Sequence, residues 1–201
     1  MSAAREGIDA CSWFRVYDII EAVHRYLARQ QDAILVEGTP RASVFEREIN
    51  TYFVQTGIGW QLVNGEIVTR GNEVFEGTVK TAVTVLKEDA KPTAAEHLQF
   101  AISALSARPK ADTSGAVTHA TSAVECVLGE ITGQAMTLGK YLDSTSVHPA
   151  LKKGLDGIYG YASDEGARHG KEGTEPAREE AEFAVAVCAA VCTLLTRKHP
   201  K

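Results

Sequence analysis

The run Ala184 to Leu195 is apolar on nearly every side of a helix. A helix of that kind cannot lie on a protein surface. It is either central in a bundle or shared with a second subunit. A chain that carries one must supply other helices to surround it, and that requirement constrains the fold more than any other feature.

The rest of the sequence supplies them. Trp13, Val16, Ile20, Val23 and Leu27 recur at helical spacing and predict a helix over roughly residues 13–31. Gly38-Thr39-Pro40 breaks the chain. Phe45, Ile49, Tyr52 and Phe53 mark a second helix that ends near Gly57. Asn72 can cap a third, running to about Leu86. Thr93-Ala94-Ala95-Glu96 reads as a capping box ahead of the stripe Leu98, Ile102 and Leu105, which Pro109 ends. After Asp112, the positions Val117, Thr121, Val124, Leu128 and Ile131 form a seam for helix packing, with Gly133 just past its end. A short helix fits Thr137 to Leu142. Pro149 suits a first turn, followed by a core stripe of Leu151, Leu155 and Ile158. Gly154, Gly157 and Gly160 would let another backbone approach that helix. Pro176 opens the last helix, and Glu179 and Glu180 in its first turns favour the positive end of its dipole.

One segment is different. Asn64-Gly65 separates two β-prone runs, and a type I′ turn needs positive φ at both central residues. The two-residue loop pairs Leu62 with Ile67 and Trp60 with Thr69. Those four residues share one face, which needs helices beneath it because an isolated hairpin is marginal in water. Trp13 and Trp60 are expected as core anchors. The predicted fold is therefore mainly α, a helical layer with one β-hairpin followed by a helical bundle. The boundary is expected at Lys87 to Pro92, dividing the chain into 1–91 and 92–201.

Composition narrows the function. The chain has 201 residues and a formal net charge of -5, which argues against a broad DNA-binding surface. No apolar run is long enough to span a bilayer, and the start lacks the apolar core of a secretory signal. Cys11, Cys126, Cys188 and Cys192 form no C-x-x-C pair and read as reduced thiols of a cytoplasmic protein. Cys126, Cys188 and Cys192 suit core filling better than nucleophilic catalysis. Nucleotide-binding glycine loops, H-E-x-x-H and G-x-S-x-G are missing from the sequence. No pair among His24, His97, His119, His148, His169 and His199 has a zinc spacing, so neither a metal nor a cofactor is expected.

Chemistry-bearing residues concentrate between the last two long helices. Asp164, Glu165, Arg168 and His169 crowd a short joint after Tyr159-Gly160-Tyr161 and Ser163. A His beside a carboxylate can be fixed in one tautomer or kept charged, and either state suits proton transfer. An adjacent Arg can bind phosphate bidentately. Two readings fit: a site for binding or cleaving a phosphodiester, or a solvated joint whose charges satisfy helix ends. On the seam helix, Ser122 and Glu125 share a face, and Arg168 is the natural partner for Glu125. The candidate catalytic residues are His169, Arg168, Asp164 and Glu125, and the candidate substrate-binding residues are Ser163, Glu165 and Ser122.

Several short words in this order resemble the helical domain of AbiJ-type abortive-infection proteins, a branch of the HEPN (higher eukaryotes and prokaryotes nucleotide-binding) superfamily. They are Ser122-Ala123-Val124-Glu125, Ile131-Thr132-Gly133, Thr137-Leu138-Gly139, His148-Pro149-Ala150-Leu151, and Tyr159-Gly160-Tyr161 running into Ser163-Asp164-Glu165-Gly166 and Arg168-His169. Trp13 with Val16-Tyr17-Asp18, and Gly59-Trp60 to Gly65-Glu66-Ile67-Val68, resemble the segment that precedes that domain. The resemblance implies a HEPN-like up-and-down bundle, a homodimer through the C-terminal helices, and a role in prokaryotic defence against phage. It implies RNA as the partner, cut by a metal-independent endoribonuclease, with a non-catalytic interaction or dimerisation module as the alternative. It also implies a further effector or sensor segment ahead of the matched part. HEPN ribonucleases place an Arg one or two turns before the His. Here those positions hold Ala162, Ser163 and Asp164, and Arg168 is adjacent to His169 instead.

Overall fold

The computed structural model describes residues 11–30, 35–36, 39–71, 73–143, 148–163 and 175–200 of a mainly α protein. It divides into two compact units, 1–70 and 71–201.

The first unit contains α1 (Trp13–Arg29), β1 (Leu35–Val36), β2 (Thr39–Pro40), α2 (Arg41–Gln55), β3 (Trp60–Val63) and β4 (Glu66–Thr69). The hairpin has the expected register, with Leu62 opposite Ile67 and Trp60 opposite Thr69. Asn64 (φ 51°) and Gly65 (φ 85°) supply the two positive dihedrals of its turn. Leu62, Ile67 and Thr69 are buried. Leu62, Ile67 and Phe53 form a core on which Tyr17, Ile20, Phe45, Ile49 and Trp60 pack.

Polar side chains fasten the hairpin as well. Leu62 and Ile67 are the second pair from a two-residue turn, so their backbone groups point away from the partner strand. The Asn50 amide pairs with both groups of Leu62, accepting from its N–H at 2.7 Å and donating to its carbonyl at 2.7 Å. The Glu21 carboxylate accepts from the Ile67 N–H at 2.8 Å. Two expectations for this unit are corrected. Trp13 is exposed, at the first turn of α1, and makes T-shaped contacts with the Phe14 and Tyr17 rings. The break at Gly38-Thr39-Pro40 adjoins a second small antiparallel pairing, Leu35–Val36 with Thr39–Pro40.

The second unit contains α3 (Glu73–Glu88), α4 (Pro92–Leu105), α5 (Thr113–Thr132), α6 (Leu138–Asp143), α7 (Pro149–Ser163) and α8 (Arg178–Lys198). The apolar helix α8 is central to it: α8 packs on α3, α4, α5 and α7. Leu86, Leu98, Leu105, Val117, Val124, Leu128, Val185 and Cys192 are fully or almost fully buried between these helices. Buried alanines, among them Ala94, Ala101, Ala116, Ala123, Ala184 and Ala189, let the helices approach closely. The Lys87–Pro92 junction lies between α3 and α4, which share this core.

Helix ends follow local chemistry. The Asp112 carboxylate accepts from the Gly115 N–H at 2.7 Å and caps α5, and Gly133 closes it with φ 72°. The expected capping box at Thr93 is not formed. Pro92, with its preset φ, starts α4 earlier, with Lys91 as N-cap and no side-chain cap. The last helix begins at Arg178 and not at Pro176, and the Glu180 carboxylate accepts from the Ala177 N–H at 3.0 Å. Asn72 lies outside the described residues. On α7, Leu155 and Tyr159 pack on the core but Leu151 is exposed. A Cβ at Gly154, Gly157 or Gly160 would meet nothing within 4 Å, so the close approach expected there is not made by the described residues.

Candidate functional site

The seam of α5 turns its apolar side to α8 and α4, and this leaves Glu125 half-buried on the side where α7 crosses. There the Tyr159 hydroxyl of α7 donates to the Glu125 carboxylate. A carboxylate removed from bulk water needs such a donor. Tyr159 is thus a partner of Glu125, and the pairing expected with Arg168 lies outside the described residues. Ser122 does not join the pair, because its hydroxyl donates back to the Thr118 carbonyl at 2.9 Å, as serines inside helices do. Asp164, Glu165, Arg168 and His169 lie outside the described residues, as does the side chain of Ser163. The Glu125–Tyr159 bond is fixed four residues before Ser163, on the helix that leads into that segment.

Two further contacts tie the ends of this helix. The Tyr161 hydroxyl donates to Glu180 of α8 at 3.3 Å, and Lys152 is paired with Asp143 of α6. Burial, with Glu180 adding to it, pushes the Tyr161 phenol above its ordinary value. Beside them, the thiols are unsuited to attack. Burial, reinforced by Glu130 and Glu125, pushes the Cys126 thiol up. Burial pushes Cys188 up to about 12, and it pushes Cys192 up as well. A nucleophile needs the thiolate, which these sites suppress.

The first unit holds a second constellation that sequence reasoning passed over. A pocket of about 240 Å³ is lined by His24, Leu27, Arg41, Ser43, Glu46 and Asn64 among others. His24 is buried, and its Nε2 lies 3.3 Å from Glu46 Oε2. Its Nδ1 edge faces Gly65, where a Cβ would come within 2.6 Å. The sequence signal was present in part: Asn-Gly marks the turn, but nothing in the spacing of His24 and Glu46 shows that α1 and α2 bring them together. An imidazole held by a carboxylate can keep one tautomer.

Residues 2–85 match the family described as AbiJ N-terminal domain 4. Over those residues the chain is similar to an AbiJ-type N-terminal domain. The match runs through the hairpin unit and most of α3, so the AbiJ assignment rests on the segment upstream of the bundle and not on the bundle's own short words. No curated protein and no solved structure matches the chain. Within the AbiJ domain fall the hairpin, its Asn50 and Glu21 clamps, and the His24–Glu46 pocket. Among the described residues no helix is long and apolar enough to cross a membrane, and no group of three or more His, Cys, Asp or Glu could hold a metal ion.

Proposed function

We propose that this AbiJ-type chain is an abortive-infection protein that acts against phage, and that its second unit is a HEPN-like bundle working on RNA as a metal-independent endoribonuclease. The observation that carries the defence reading is the AbiJ N-terminal domain over residues 2–85. In the RNA reading, His169 is the general acid and base, Arg168 stabilises the phosphate charge, and Asp164 orients one of them. Ser163, Glu165 and Ser122 line the substrate path. Glu125 acts at one remove, by holding Tyr159 and so aiming the helix that leads to this segment.

One observation favours a second reading, a non-catalytic module that dimerises through its C-terminal helices. Leu151 on α7, with Phe183 and Leu194 on α8, are large apolar side chains left exposed. In that case Asp164, Glu165, Arg168 and His169 lock the assembly. Incubating the full chain with RNA in EDTA, beside His169→Ala, separates the two. Cleavage that the substitution abolishes, in a variant that stays folded, supports the ribonuclease. Intact RNA with wild type, together with a monomeric or unfolded His169→Ala, supports the lock.

A further inference from the structure

Two histidines far apart in sequence meet on the surface of the bundle. His97 of α4 and His119 of α5 turn their Nδ1 atoms toward each other at 3.3 Å. Their rings are tilted by 38° with centroids 5.5 Å apart. Both side chains are half-buried. Phe100, exposed on α4, stands beside them with its ring 5.3 Å from His119 and 6.3 Å from His97.

At this separation one neutral ring can donate its Nδ1–H to the other. The same separation also suits a second arrangement. Two imidazole nitrogens bound at about 2.0–2.1 Å to one tetrahedral ion stand about 3.3 Å apart. We infer that His97 and His119 form a two-histidine site for a divalent transition metal ion of the zinc or copper class, bound through both Nδ1 atoms. Imidazole is a ligand those ions favour.

The packing preorganises this pair. Each histidine sits on a long helix of the buried core, flanked on that core side by Leu98 and Ala101 on α4 and by Ala120 and Ala123 on α5. Two protein ligands leave the remaining positions of the ion to water or to a ligand, so the site is exchangeable. It stands apart from the RNA reading, whose assay is run in EDTA.

The test uses the full chain without a polyhistidine tag. Zn²⁺ is titrated calorimetrically, and Cu²⁺ is followed by electron paramagnetic resonance. The expected result is one equivalent of Zn²⁺ per chain and a Cu²⁺ spectrum with two nitrogen donors. His97→Gln and His119→Gln should each weaken binding by about tenfold or more. The inference is overturned if wild type takes up neither ion, if its Cu²⁺ spectrum lacks two nitrogens, or if binding persists unchanged in either variant.

Discussion

The Tyr159 hydroxyl donates to the Glu125 carboxylate, a bond that joins α7 to the seam helix α5. Elsewhere on α7, Leu155 packs on the core and Tyr161 and Lys152 are paired at its ends, while three glycines face open space and Leu151 is exposed. Tyr159→Phe should therefore cost about 1–3 kcal/mol by leaving a half-buried carboxylate short of a donor. Glu125→Gln keeps an acceptor and should cost less. Urea denaturation of the second unit's helical signal measures both, and equal costs would show that the bond does not hold the helix.

Asn50 serves both outward-facing backbone groups of Leu62. Asn50→Ala is expected to destabilise the hairpin unit by about 1–3 kcal/mol, because two buried backbone groups lose their partner at once. Hydrogen exchange at the Leu62 amide should accelerate in that variant while amides of α5 stay protected.

Gly65 is required twice, by its φ of 85° and by the His24 ring against it. Gly65→Ala should be destabilising by about 1–3 kcal/mol, combining backbone strain with displacement of His24. Thermal unfolding checks this. His24→Ala in the same background should recover part of the loss, since it removes the clash and leaves only the strain.

Lys91 is 1% exposed and its ammonium is paired with Asp89 at the α3–α4 corner. Removing one member of such a pair strands the other. Asp89→Ala should cost about 3–5 kcal/mol, and adding Lys91→Met should restore much of it. If the double variant is no better than Asp89→Ala alone, Lys91 is held by other contacts.

Burial of His97 gives the fold an expected pH dependence. Its folded value is lowered from 6.5, so the unfolded chain takes up the proton more readily. Its contribution is fully present above that value and is lost as pH falls from 6.5 toward the lowered value. His97→Gln should flatten the stability profile in that window, measured by denaturation at a series of pH values.

Much of this was legible in the sequence. The 3.6-residue stripes found the helices, and Asn64-Gly65 fixed the hairpin register, because both signals are local. The apolar run in α8 foretold a surrounded helix, which α3, α4, α5 and α7 now provide. What stayed hidden depends on packing between distant segments. Tyr159 reaches Glu125 from a crossing helix, a contact no local spacing announces. The His24–Glu46 and His97–His119 encounters have no sequence spacing to announce them. Thr93-x-x-Glu96 failed as a cap because Pro92 had already started the helix.

The most direct measurement of the defence reading is phage yield from bacteria that express the full chain, compared with cells expressing none. At low multiplicity the account expects a reduced phage burst and survival of the culture. At high multiplicity it expects infected cells to stop growing before phage are released. An unchanged burst at both multiplicities would contradict it.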